Sequence, residues 1–91
     1  MTNNIEIRRR RLKYRTSHTG TKETDILLGS FVEVFIESLD ESEIQDFEDL
    51  LSIGNDPLVF NWIVSRESAP KEFDTPLLKK IQNHVVERDI L

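Results

Sequence analysis

The chain has no cysteine, which excludes disulfides, zinc–thiolate sites and dithiol redox chemistry together and fits a reducing compartment. Glycine is nearly as scarce. Gly20, Gly29 and Gly54 are scattered and never form a G-x-G or G-K-[ST] cluster, so a phosphate-cradling loop is not expected. The two histidines, His18 and His84, lack the short spacing that brings metal ligands together, and both are expected at the surface. No apolar run exceeds three residues, as in Ile26-Leu27-Leu28, against the roughly 20 needed to cross a bilayer. The opening is arginine-rich without a following apolar stretch, so no secretory signal and no membrane insertion are expected. Ninety-one residues suffice for one domain with one modest core, burying roughly 60–65% of the unfolded surface. They leave little room for a cofactor cavity of roughly 300–1,000 Å³.

What the chain does have is charge, unevenly spread. Residues 1–22 hold seven basic residues against one acid, and the remainder holds five against sixteen. That asymmetry makes an electrostatic dipole able to orient the molecule on a charged partner. It does not make a nucleic-acid interface: the chain as a whole is acidic, and apart from Tyr14 no aromatics interleave with the arginines to stack on bases. The acidic runs 37–43 and 46–49 fall on outer helix faces and caps, where solvated carboxylates have no pocket to separate their pKa values. No self-contained catalysis is expected.

Periodicity predicts helices throughout and no strands. A first helix covers about 5–16. A second runs from about Thr21 to Ser38, with Leu27, Phe31, Val34 and Phe35 on one stripe, widened by Leu28, Val32 and Leu39. Asp40 with Glu43 forms a capping box for a third, with Ile44, Phe47, Leu50 and Leu51 inward and Gly54 as its left-handed stop. Asp56 as N-cap and Pro57 open a fourth, carrying Leu58, Val59, Trp62 and Ile63. Residues 65–73 form a loop, and Thr75-Pro76 opens a fifth helix with Leu77, Leu78, Ile81 and Val85 inward. Trp62 is expected in the core. The expected fold is an all-α, compact five-helix bundle, one domain over 1–91 with the first few residues flexible.

Arg11 to Gly29 concentrates a basic helix end, a glycine bend and an acidic helix start. Gly20 has two readings: it lets a partner's backbone approach closely, or it permits the turn. Glu23 and Asp25 sit where the dipole of the second helix favours acids, and Glu23 either meets a partner or caps that helix.

The pattern Arg11-Leu-x-Tyr-Arg15, then His18-Thr-Gly-Thr-Lys-Glu23-x-Asp25-Ile-Leu-Leu-Gly29-x-Phe31, resembles the signature of the FAD assembly factors of succinate dehydrogenase, the bacterial SdhE and mitochondrial flavinator family. A second block, Phe47-Glu-Asp-Leu-Leu51 followed by Asp56-Pro-Leu-Val-Phe-Asn-Trp62, resembles that family's other recurrent stretch. The family hallmark is R-G-x-x-E; here Thr19 stands for the arginine while Gly20 and Glu23 remain, leaving Arg15, His18 or Lys22 to supply the cation.

The resemblance implies a small helical accessory protein, not an enzyme, that promotes covalent FAD attachment to the flavoprotein subunit of succinate dehydrogenase, and in some bacteria of fumarate reductase. In that chemistry a histidine of the subunit attacks the 8α-methyl carbon of the flavin, so the FAD belongs to the partner. No cofactor or metal is expected to be held stably, and the free factor is expected to be a monomer. The implied partner-binding residues are Arg11, Arg15, Thr19, Gly20, Glu23 and Asp25. The implied location is the bacterial cytoplasm, favoured by the lack of a long presequence, or the mitochondrial matrix in a eukaryote. The competing expectation is a regulatory interaction module, antitoxin-like or scaffolding, acting through the basic first helix.

Overall fold

Leu27, Leu28 and Phe31 have no exposed surface, because the helix that carries them lies between two others. The computed structural model describes residues 4–88, and the expectation about the first few residues falls largely outside that span. Within it are five α-helices: α1 (Asn4–Thr16), α2 (Lys22–Phe35), α3 (Glu41–Leu51), α4 (Asp56–Ile63) and α5 (Pro76–Arg88). No strand occurs among the described residues. Helix α2 packs on α1 and α5, α3 touches α1, α4 and α5, and α4 closes on α5. All five share one core, in which Phe31 meets the edge of Phe47 at 5.9 Å. The all-α bundle is therefore as expected.

The helix starts follow local chemistry. Thr21 caps α2, its hydroxyl accepting the Thr24 N–H. The Asp40–Glu43 capping box forms in both directions, at 2.8 and 3.0 Å. The Thr75 hydroxyl accepts the Leu78 N–H at 3.2 Å ahead of Pro76. Helix α4 differs from expectation. Its N-cap is Asn55, whose side chain accepts the Leu58 N–H, so Asp56 lies inside the first turn and its carboxylate is free for another use.

The helix ends differ more. Helix α2 stops at Phe35, and residues 36–38 tighten into a 3-10 turn. Helix α3 stops at Leu51, with Ser52 as C-cap, and Gly54 takes its left-handed conformation (φ 72°) two residues later. The end of α4 is closed by Ser65 at φ 63°. The Ser65 N–H reaches the Trp62 carbonyl and the Arg66 N–H reaches the Asn61 carbonyl at 2.8 Å, a Schellman closure with serine where glycine is usual. The loop expected at 65–73 ends in a 3-10 turn, Lys71–Phe73, which lays the Phe73 ring on Trp62 at 5.6 Å. Trp62 is in the core, 4% exposed.

Two side chains reverse their expected places. Val34 is 49% exposed: α2 is covered on two sides only, and residue 34 falls on the third. His84 is buried, with its Nε2 2.9 Å from the Ser30 hydroxyl and its ring edge-on to Phe31 and Phe35. It follows Leu77 by seven residues and Ile81 by three, which is the inward stripe of α5.

Candidate functional site

The bend between α1 and α2 is built from hydroxyls. The Thr16 hydroxyl turns back on the Leu12 carbonyl at 2.8 Å and closes α1. His18 then folds over the last turn: its ring stacks on Tyr14 at 4.1 Å, and its Nδ1 lies 2.8 Å from the Tyr14 carbonyl. That contact requires the proton on Nδ1. Two carboxylates hold the next two residues. Asp25 Oδ1 accepts the Thr19 N–H at 2.7 Å and also the Thr19 hydroxyl. Asp56 Oδ2, from α4, accepts the Gly20 N–H at 2.5 Å.

The six residues singled out from the sequence differ in how available they are. Thr19, Gly20 and Asp25 come together at the tip of the bend, where Asp25 is half-buried and engaged within the chain. Gly20 and Glu23 are exposed, as is Arg11, and neither Glu23 nor Arg11 has a hydrogen-bonding partner among the described residues. Arg15 is exposed over much of its length, but its Nη2 donates to the Leu51 carbonyl at 2.7 Å and caps the end of α3. Gly20 lacks positive φ, so the turn itself does not demand glycine. A Cβ there would stand 3.0 Å from Asp56 Oδ2; the group that closely approaches Gly20 is a carboxylate of this chain's own α4, which a side chain at position 20 would push aside.

The basic helix is less available than its composition implies. Arg8 hydrogen-bonds Glu48 and Gln45 on α3. Arg9 donates to the carbonyls of Ile36 at 3.0 Å and Leu39 at 3.0 Å and pairs with Glu6. Lys13 lies 3.6 Å from Glu37. Arg10 and Arg11 remain without ionic partners among the described residues, and with Ile7, Tyr14 and Arg15 they line an open groove of about 390 Å³ on the outside of α1. The acidic runs are correspondingly not all solvent: the side chains of Glu43 and Glu48 are 15% and 29% exposed, against Lys80 and Arg8.

Asp56 was not legible as part of this region. Asp56-Pro57 has the look of a helix start, and nothing local ties residue 56 to residue 20. Among the described residues, no group of three or more His, Asp or Glu side chains could hold a metal ion, and no helix is long and apolar enough to cross a membrane.

Residues 10–85 match the family model described as flavinator of succinate dehydrogenase. A mitochondrial succinate dehydrogenase assembly factor 2 of Dictyostelium discoideum is 42% identical over 88% of this chain and 56% of its own length. The FAD assembly factor SdhE of Acetobacter pasteurianus is 42% identical over 86% of this chain and 71% of its own. A mitochondrial assembly factor 2-A of Drosophila ananassae is 32% identical over 89% of this chain and 53% of its own. The chain thus spans little more than half of the two mitochondrial relatives. By name these relatives are assembly factors, accessory proteins rather than enzymes.

Proposed function

The chain belongs to the flavinators of succinate dehydrogenase, and from that premise we propose that it docks on the flavoprotein subunit through the α1–α2 bend and promotes covalent FAD attachment there. The observation that carries the docking surface is the exposure of Gly20 and Glu23, the retained pair of the R-G-x-x-E motif, on a bend whose backbone is held from two sides. Such a bend offers a partner a preformed shape, so little ordering entropy is lost on association.

Glu23 presents an unpaired carboxylate to donors on the subunit. Arg11, projecting from the last turns of α1, presents a cation beside the exposed ring of Tyr14, which is 66% exposed. Arg15 contributes through the part of its side chain not engaged with Leu51. Thr19 and Asp25 shape the surface from within. FAD stays with the subunit, which also supplies the bonding side chain. Fumarate reductase is a second target of the same kind, and the place of action is wherever the subunit receives its flavin: the cytoplasm of a bacterium or the mitochondrial matrix.

The test is covalent flavin in the subunit, read as ultraviolet fluorescence of its band in a denaturing gel. Cells without the factor are expected to lose that fluorescence, and the wild-type chain to restore it. Gly20→Arg is expected to fold yet fail to restore it. Full fluorescence without the factor, or a Gly20→Arg chain that restores it, overturns the docking surface.

A further inference from the structure

We propose that Asp56 is a positioning residue for the docking bend, reaching from the first turn of α4 to hold the backbone of Gly20 in the shape the flavoprotein subunit meets. This rests on the docking role just proposed. Four observations converge on it. The Asp56 carboxylate accepts the Gly20 N–H at 2.5 Å across 36 residues of sequence, tying the bend to a helix on another part of the bundle. The residue is not needed as a cap, because Asn55 does that work; its side chain is turned to the bend instead.

Gly20 and Asp56 also fit as a pair. The backbone of Gly20 is not left-handed, so a residue with a side chain could adopt its conformation. What opposes one is the carboxylate: a Cβ at position 20 would stand 3.0 Å from Asp56 Oδ2, so a side chain there displaces the carboxylate from its bond to the amide. Finally, the amides of Thr19 and Gly20 are both engaged by carboxylates of this chain, Asp25 and Asp56. Both donors are occupied in the free chain, so these bonds set the shape of the surface that the subunit meets. A charged acceptor makes a stronger and more directional bond than a neutral one, which suits a tie holding an exposed loop in one conformation.

Binding of purified apo flavoprotein subunit to five forms of the full chain tests this: wild type, Asp56→Ala, Asp56→Asn, Gly20→Ala and the Gly20→Ala/Asp56→Ala double variant. Melting temperature and the backbone amide resonance of Gly20 are recorded for each. Asp56→Ala is expected to fold, because Asn55 and Pro57 still start α4, and to weaken binding about tenfold, the effect of losing one charge-assisted hydrogen bond. Asp56→Asn keeps an acceptor oxygen and is expected to recover most of the affinity. Gly20→Ala alone is expected to weaken binding, and the double variant to bind no worse than Asp56→Ala, since both changes break the same contact. The Gly20 amide is expected to shift and to exchange faster in Asp56→Ala.

Wild-type affinity for Asp56→Ala, or additive losses in the double variant, overturns the positioning role. A merely structural Asp56 would lower the melting temperature and leave affinity and its rescue by asparagine unmoved. A wild-type chain that fails to bind the subunit defeats the docking reading instead. The Gly20 amide then judges the tie alone, and an unchanged resonance and exchange rate in Asp56→Ala would defeat that as well.

Discussion

Arg8 forks onto Glu48, its Nε and Nη2 standing 3.1 and 2.7 Å from the carboxylate oxygens. The pair bridges α1 to α3 and is partly shielded, with side chains 19% and 29% exposed. Hydrogen bonding to Glu48 raises the Arg8 guanidinium above its already high ordinary value, against a smaller opposing effect of burial; Arg8 therefore stays charged wherever Glu48 is ionised. Arg8→Ala is expected to cost about 1–2 kcal/mol in urea unfolding, more than a fully exposed pair would. Glu48→Gln should cost less, because its amide oxygen still accepts. Equal and negligible losses would show that α1 is held by its apolar face alone.

Asp46, half-buried on α3, has its carboxyl raised above the ordinary value, by burial first and then by Asp49, Asp40 and Glu43. A raised folded-state value means that the folded chain holds this proton more tightly than the unfolded one. Its contribution is fully present below the unfolded value and lost as pH rises through the folded one. Asp46→Asn is therefore expected to be more stable than wild type at neutral pH, with the advantage vanishing in acid. Denaturation midpoints across pH 3 to 7 measure it (roughly spanning the carboxylate range), and an advantage independent of pH would be contrary to this origin.

Ser65 occupies the left-handed position of a Schellman closure at φ 63°, where a Cβ costs roughly 1 kcal/mol. Ser65→Gly should stabilise the chain by up to about 1 kcal/mol and raise its melting temperature by several degrees. A fall would mean that the added freedom of glycine in the unfolded chain outweighs the relief of strain.

Thr19 stands where the family motif has arginine, and its hydroxyl is bonded to Asp25. Thr19→Arg keeps the backbone N–H bond to Asp25 and returns a cation to the exposed bend. Binding to the flavoprotein subunit is expected to tighten roughly fivefold, about 1 kcal/mol, with a small loss in melting temperature. Calorimetric titration decides it; weaker binding would make the Thr19 hydroxyl bond itself the feature the subunit requires.

The candidate site was legible in unequal parts. The bend, Gly20 and Glu23 were visible as a motif at the right place between two helices, and both are exposed. The group packed against Gly20 was not visible, since it is the Asp56 carboxylate, 36 positions away. Arg15 read as a free cation because its acceptor, the Leu51 carbonyl, belongs to the end of another helix. His84 shows a different gap. Its spacing places it on the buried stripe of α5, while its polarity argues for the surface, and the Ser30 hydroxyl at 2.9 Å gives the ring a polar partner inside the bundle.

Propensity, capping and 3.6-residue periodicity act over a turn or two of chain. The helices, the caps of α3 and α5, most of the apolar stripes and hence one core therefore follow from local sequence, while the cap of α4 proved to be Asn55 and not Asp56. Which faces meet is settled by packing: Arg8 and Arg9 serve the bundle while Arg10 and Arg11 do not, Val34 is left outside, and α4 lends a carboxylate to the α1–α2 bend. Periodicity says that a face is buried and leaves open against what. That choice is made by packing all the helices at once, and polar contacts between residues 27 to 40 positions apart exist only after it is made.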